Sequence, residues 1–379
     1  MNKRVMIIAG ETSGDARAAG LVEEVRAHHP EISFFGIGGD RLRAAGVDTL
    51  VDARVMAVVG LVEVLAHFPT IYGALRLMRR KLREERPDML ILVDYPDFNL
   101  RLAKTAKALG IKVLYYISPQ VWAWRQKRVY RIKTLVDHMA VVFPFEEPFY
   151  RHANVPVSFV GHPLVDEINA ALPDRQAAIR GLGLDPTRRI LGLFPGSRRS
   201  ELKRLLPPLL EAARELQQRD PQLQFLLPCA SGLEEADFSP WLQQYEELSL
   251  QLVSDRVYEV MAACDTIVSA SGTATLEIAL MRTPLVIVYR IAPLSYQLMR
   301  RMVKVRHIGL CNIVADERIA PELVQHEATA EKITAEAERL LYDEQSNRQM
   351  REKLALVRER LGDGGASAKV AELTIRLLG

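Results

Sequence analysis

Short apolar runs alternate with amphipathic helical stretches from one end of the chain to the other. In the first half the runs lie at 5–9, 33–36, 89–93, 112–117, 138–143 and 157–160, and apolar residues recur three or four apart through 15–28, 71–85 and 99–109. In the second half the runs are 190–194, 224–228, 249–253, 266–269 and 284–289, with helical patterns at 201–218 and 273–281 among them. A strand that is apolar at successive positions is buried on both faces, as in a parallel sheet covered by helices. Alternation of such strands with helices predicts a doubly wound α/β fold. The series runs through twice, so two Rossmann-like domains are expected.

The seam falls between Gly161-His162-Pro163 and Pro186, a stretch containing proline and glycine that separates the two series. The expected domains are 1–165 and 166–345, followed by charged helices at 346–379 that break at Gly362-Asp363-Gly364-Gly365 and are free to pack back on the N-terminal domain. Ligands of open α/β sheets sit beyond the carboxyl ends of the strands, so a cleft between two facing domains is the expected place for chemistry.

Length agrees with this division, because 379 residues exceed what one hydrophobic core ordinarily organises. Hydrophobic residues make up 49% and charged residues 26%, the balance of a folded chain rather than a disordered one. A net charge of only +3 argues against a general nucleic-acid binder. Cys229, Cys264 and Cys311 are far apart and form no CxxC pair, so neither a disulfide framework nor a zinc knuckle is indicated, and a reducing cytoplasm fits. The start, Met1-Asn2-Lys3-Arg4 before a short apolar run, lacks a cleavage site and reads as a first strand, not a signal peptide. The longest apolar region, 55–78, is interrupted by Glu63, His67 and Pro69, which makes a membrane span unlikely on length.

Two junctions in the second half have the composition of a nucleotide-diphosphate site. The strand at 190–194 breaks into Pro195-Gly196-Ser197-Arg198, and that at 266–269 leads into Ser271-Gly272-Thr273. Small residues there let backbone N–H groups approach an anion at a helix N-terminus, where the dipole favours negative charge. Arg198 adds a planar fork of donors suited to phosphate. Glu277 lies one turn after Thr273 on the same helix face, placed to accept ribose hydroxyls. Arg199 reads as a second cation or as half of a salt bridge.

In the first half, Asp94 follows an apolar strand and precedes Pro96, which puts its carboxylate at the sheet's carboxyl edge as a general base or as a cap on the next helix. Asp97 is the better cap, since it directly precedes the helical stretch. Gly10-Glu11-Thr12-Ser13-Gly14-Asp15 is a tight turn after the first strand. Its spacing is not GxGxxG, and Glu11 would repel a pyrophosphate, so a nicotinamide oxidoreductase is disfavoured. Glu11 and Ser13 suit sugar hydroxyls or plain turn chemistry, and Asp15 suits a helix cap. His162 reads as a structural histidine rather than a ligand. Of Trp122 and Trp124, one is expected in the core and the other exposed.

The motifs Ala9-Gly10-Glu11-Thr12-Ser13-Gly14-Asp15, Val93-Asp94-Tyr95-Pro96-Asp97-Phe98-Asn99, Ser118-Pro119-Gln120-Val121-Trp122, Pro195-Gly196-Ser197-Arg198 and Ser271-Gly272-Thr273 through Glu277 occur in order along the whole chain. Together they resemble the lipid-A-disaccharide synthase family of the GT-B glycosyltransferases. The resemblance implies an inverting transfer that joins UDP-2,3-diacylglucosamine to 2,3-diacylglucosamine 1-phosphate (lipid X) through a β-1,6 bond, with release of UDP, in lipid A biosynthesis of a Gram-negative cell. It implies that 1–165 takes the acceptor and 166–345 the UDP-sugar. Asp94 would be the base and Arg198 the support for departing UDP. Glu11, Ser13 and Asn312 would contact substrate, and Gly196, Ser197, Ser271, Gly272, Thr273 and Glu277 would join Arg198 in holding UDP. Asn312 alone would read as a loop cap. The rivals are another UDP-sugar enzyme of the same fold, such as an epimerase or an undecaprenyl-linked transferase, and a nucleotide-sensing protein without turnover.

Acylated substrates imply contact with a bilayer. The region 58–83 places large apolar residues beside Arg79-Arg80-Lys81-Leu82-Arg83, a pattern suited to an anionic membrane surface, with Arg125, Lys127, Arg128 and Arg131 as an extension. From residue pattern alone the favoured reading is a core helix with a solvated charged end, and the acylated substrates that the resemblance implies reverse that preference. A cytoplasmic chain held peripherally at the inner membrane is the expectation, and a homodimer is left open. No cofactor is expected. Because no Asp-x-Asp pair or HExxH occurs, the expected mechanism needs no metal. Turnover should persist in excess EDTA; loss that added Mg²⁺ restores would reject this.

Overall fold

The structure, a computed structural model, describes residues 3–56, 61–303 and 305–379. The chain forms two compact units, one of Met1–Pro163 with Gly362–Gly379 and one of Leu164–Leu361.

In the first unit seven parallel strands form one sheet. They are β1 (Arg4–Ala9), β2 (Ser33–Gly38), β3 (Asp48–Asp52), β4 (Met89–Val93), β5 (Lys112–Tyr116), β6 (His138–Val141) and β7 (Val157–Phe159), in the order β3-β2-β1-β4-β5-β6-β7. Every residue of β4 is buried, as the continuous apolar run requires. β3 has no such run: it is an edge strand, exposed or half-buried along its length and bounded by aspartates, so its pattern carries no strand signal.

In the second unit six parallel strands follow. They are β8 (Ile190–Phe194), β9 (Gln224–Cys229), β10 (Leu250–Ser254), β11 (Thr266–Ala270), β12 (Leu285–Tyr289) and β13 (Glu322–Val324), ordered β10-β9-β8-β11-β12-β13. β13, three residues at an edge, is too short to announce itself by periodicity. The last helices divide: Glu344–Arg360 packs on the Ala274–Leu280 helix within the second unit, and Ala366–Leu378 packs on the Thr12–His28 helix of the first. Cys229, Cys264 and Cys311 are unpaired.

The helix Leu61–Glu85 contains Pro69. Ala74, Leu75, Met78 and Leu82 lie in the core beneath the first sheet with Met6, Ile8, Phe35 and Leu92. At its basic end Lys81 pairs with Glu85 at 3.0 Å and Arg80 with Glu84 at 3.7 Å, while among the described residues no carboxylate pairs with Arg79 or Arg83. The C-terminal half of the expected membrane element at 58–83 thus gives one face to the core, while Tyr72, Gly73 and Arg76 are exposed. Val58, Val59 and Gly60, and the side chains of Val62, Leu65 and Phe68, lie outside the described residues. Among the described residues no helix is long and apolar enough to cross a membrane.

Truncating Leu75, only 4% exposed, removes core contacts and leaves a cavity. Leu75→Ala should lower unfolding free energy by about 2–5 kcal/mol in urea denaturation. A loss under about 0.5 kcal/mol, the scale of a surface substitution, would return Leu75 to the surface.

Candidate functional site

In the first sheet the strand order reverses between β1 and β4, which pair directly with Ala9 opposite Val93. The loops leaving these two strands therefore emerge side by side, at the position where open α/β sheets bind ligands. Gly10 lies against the Tyr95 ring so closely that a Cβ would stand 2.7 Å from Tyr95 Cδ1. Glycine at this turn is what lets the two loops meet.

Asp94 and Tyr95 both adopt left-handed backbone, φ 46° and 43°, which costs roughly 1–2 kcal/mol per non-glycine residue. The surroundings hold them there. The Asp94 N–H donates to the Tyr116 carbonyl at 3.1 Å. Its carbonyl accepts the Tyr115 hydroxyl at 2.5 Å and the Asn99 amide at 2.7 Å, and the Tyr95 hydroxyl donates to the Met56 carbonyl at 3.1 Å. Burial pushes the Asp94 carboxyl up to about 6, the negative charge of Glu11 adds to the rise, and the Tyr95 N–H opposes it. A carboxyl that loses its proton around pH 6 is largely ionised at neutrality yet more basic than an ordinary carboxylate, which suits general-base work.

Glu11 and Ser13 are exposed beside this turn. The helix starts at Thr12, earlier than its apolar pattern suggests, so Ser13 belongs to its first turn. Asp15 is buried and caps a different helix, Asp40–Ala44: its carboxylate accepts the N–H groups of Gly39 at 2.6 Å and Arg41 at 3.0 Å. Asp97 is not a cap. Pro96 opens the Pro96–Ala108 helix, and Asp97 pairs with Arg128 at 3.0 Å.

Close by in sequence, Trp122 is buried and donates its indole N–H to Glu146 at 3.1 Å, while Trp124 is exposed with Arg125 over its ring at 4.2 Å. Glu146 carried no sequence signal. Fully buried, it also accepts the Phe143 N–H at 3.1 Å, and burial pushes its carboxyl up to about 8. His162 is buried against Phe143, ring centroids 5.0 Å apart, and burial pushes its imidazole down to about 3, so it is neutral and structural.

The second sheet repeats the geometry. Its order reverses between β8 and β11, with Phe194 opposite Ser269, so the loops at Gly196 and Ser271 are neighbours. Gly196 has φ +112°, and a Cβ there would run into the Glu201 carboxylate. Arg198 is the residue preceding the Arg199–Arg219 helix and its side chain is 64% exposed.

Here the structure changes the expected cradle. Glu201, one turn into that helix, folds back so that Oε2 accepts the Ser197 N–H at 3.0 Å and Oε1 accepts Arg198 Nη1 at 3.1 Å. A carboxylate thus sits on the donors expected to hold phosphate. Its only sequence signal is an acidic residue three positions after a helix-opening arginine. Tyr289, ending β12, is near enough that Glu201 raises its phenol, burial being the larger cause. Arg199 pairs with Asp237 at 2.9 Å.

Ser271 is tied to the scaffold. Its N–H donates to the Val288 carbonyl at 2.9 Å and its hydroxyl to the Ile308 carbonyl at 2.9 Å, so both donors are engaged by the scaffold. Gly272 and Thr273 are exposed where the Ala274–Leu280 helix begins, and Glu277 is half-buried one turn on. Asn312, expected on substrate, is fully buried. Its amide donates to the Ala320 carbonyl and to Glu322, both at 2.9 Å, and its oxygen accepts the Ala320 N–H at 2.9 Å. Every polar capacity that would reach a ligand is engaged, and Asn312 with Glu322 braces the turn at Ile308-Gly309. Among the described residues no group of three His, Cys, Asp or Glu converges as a metal site.

Comparison with known proteins gives the family. The profile described as Lipid-A-disaccharide synthetase matches residues 5–372. The lipid-A-disaccharide synthase of Trichlorobacter lovleyi is 59% identical over 99% of this chain and 98% of that protein, and that of Geobacter metallireducens is 56% identical over 100% and 98%. Among solved structures, the Neisseria meningitidis UDP-GlcNAc 2-epimerase bound to UDP-GlcNAc superposes with TM-score 0.66 at 12% identity, covering 98% of this chain and 100% of that one. Acinetobacter baumannii MurG gives 0.60 at 17% identity, covering 99% of each. At such identities the likeness concerns fold alone, and the fold is the two-domain α/β GT-B fold.

The Asp94 turn makes a spectroscopic prediction. A carboxyl held above its ordinary value binds its proton more tightly folded than unfolded, so stability falls as pH rises from 3.8 to about 6. Carbon-detected NMR should show Asp94 titrating near that upper value and moving down in Glu11→Gln, and Asp94→Asn should raise the melting temperature at neutral pH. An Asp94 titration at the ordinary carboxyl value would contradict the burial.

Proposed function

This chain belongs to the lipid-A-disaccharide synthase family, glycosyltransferases of lipid A biosynthesis, and from that premise we propose an inverting transfer from UDP-2,3-diacylglucosamine to lipid X. The unit 164–361 takes the UDP-sugar, and the first unit takes the acceptor. Asp94 removes the proton of the acceptor 6-hydroxyl. That oxygen attacks the anomeric carbon from the face opposite UDP, the carbon–oxygen bond to the diphosphate breaks, and a β-1,6 bond forms.

The observation that carries this reading is the Asp94 turn: a strained, rigidly held carboxylate at a switch point, with a carboxyl pushed up to about 6. Glu11 and Ser13, exposed beside it, are assigned to acceptor hydroxyls. In the second unit Arg198, the N–H groups at Gly196 and Ser197, and the exposed Gly272-Thr273 turn receive the diphosphate, with Ser271 positioning that turn. Glu201 yields the Ser197 N–H and Arg198 as the diphosphate arrives, so negative charge replaces negative charge on the same donors. Glu277 takes the ribose hydroxyls. Growing charge on leaving UDP is stabilised by donors already in place.

Acylated substrates also require a peripheral membrane position. With the C-terminal half of the Leu61–Glu85 helix in the core, the apolar sequence at 58–68 is the part of that region left to supply it.

Mass spectrometry of products from UDP-2,3-diacylglucosamine plus lipid X should show the disaccharide 1-phosphate and UDP. Asp94→Asn should lower kcat by roughly 10²–10⁴-fold and Arg198→Ala by roughly 10²-fold or more. In the parent enzyme kcat/KM should rise as pH passes about 6, where Asp94 loses its proton, a limb absent from Asp94→Asn. Unimpaired turnover by Asp94→Asn would reject the assignment, and equal use of unacylated UDP-sugar would favour another UDP-sugar enzyme.

A further inference from the structure

The helix Pro293–Met302 in the second unit has no buried residue. Leu294, Leu298 and Met302, four apart, form one stripe, with Met299 beside it; they are 84%, 63%, 39% and 43% exposed in that order. Large apolar side chains gathered this way on a surface are uncommon unless something covers them.

The same helix also borders a cationic cavity of about 660 Å³, whose lining includes Arg204, Arg290, Arg300, Tyr296 and His326. These guanidinium groups are not neutralised. Arg204 donates to the Ser200 carbonyl at 2.7 Å and Arg290 to the Ala328 carbonyl at 3.0 Å, and among the described residues no carboxylate pairs with either of them or with Arg300. The sequence keeps acid away: no Asp or Glu occurs between Glu277 and Asp316, while Arg282, Arg290, Arg300, Arg301, Lys304 and Arg306 do. Arg301 and Arg306 are exposed. An apolar stripe beside uncompensated cations has the chemistry of an interfacial helix on anionic lipid.

We infer that the Pro293–Met302 helix is a docking element for an anionic bilayer, its Leu294-Leu298-Met302 stripe entering the acyl boundary while the adjoining arginine cavity takes a lipid phosphate headgroup. Charge and apolar surface together favour the bilayer: an apolar protein partner fits the stripe but leaves the cavity's cations unanswered, and a free phosphate fits the cavity but leaves the stripe in water. The proposal uses no residue of 58–68 and stands on its own residues, whatever the transferred sugar proves to be.

The test uses the full chain with phosphatidylcholine vesicles, with and without phosphatidylglycerol. The parent protein should co-sediment with the anionic vesicles. Leu294→Ser with Leu298→Ser and Met302→Ser, and separately Arg300→Glu with Arg301→Glu, should each weaken the partition coefficient by roughly tenfold or more. A Leu298→Trp variant should be quenched by acyl-brominated phosphatidylglycerol, which reads insertion directly and does not depend on a loss. Turnover of detergent-dispersed substrates, measured alongside, reports the proposed reaction separately and should be unchanged in these variants. Unaltered partition in both multiple variants, or emission from Leu298→Trp indifferent to brominated lipid, would overturn the proposal. So would a lipid-free dimer abolished by the serine variant, which would make the stripe an interface between copies.

Discussion

Reversal of strand order within each parallel sheet is the constraint on which the rest depends. Strands on either side of the reversal send their following helices to opposite faces, so the two loops at that point are neighbours with nothing lying over them. In the first unit this brings Gly10 under Tyr95 and sets Glu11 near Asp94; in the second it brings Gly196 beside Ser271. The same geometry serves opposite electrostatic ends. One switch point gathers carboxylates and raises the pKa of one of them, and the other gathers helix N-termini and an arginine.

Both places carry features that disfavour folding and suit chemistry. Two consecutive non-glycine residues in left-handed backbone, next to a carboxylate lifted toward neutrality, persist only because Tyr115, Tyr116 and Asn99 fix the backbone around them. In the second unit the Glu201 carboxylate accepts from the donors of Ser197 and Arg198. Donors at a helix start are thereby satisfied by a carboxylate of the same helix.

Much of this was legible in the residues. Buried parallel strands declare themselves as continuous apolar runs, so most strand positions and the doubling of the α/β series followed from pattern. The edge strands β3 and β13 did not, since edges are short and half-solvated. Asp94 was placed correctly at a strand end because Pro96 terminates the run. Asn312 and Ser271 mark where pattern runs out: a polar residue in a loop looks alike whether it faces a ligand or braces the loop, and their scaffold partners, Ala320 and Glu322 for one and Ile308 for the other, are invisible to spacing. Leu75 shows the same ambiguity for apolar residues, since an amphipathic helix reads identically whether its apolar face meets a core or a bilayer. Glu146 was silent and Glu201 gave only its spacing from Arg198, because their roles depend on contacts that spacing does not encode.

The division of labour between the two switch points is tested most directly by a crystal structure of the chain with UDP bound. The diphosphate should lie on Arg198 and the Gly272-Thr273 turn, with Glu201 swung away from the Ser197 N–H and the ribose on Glu277. UDP found against Gly10 and Tyr95, with the Glu201–Arg198 pair intact, would contradict it.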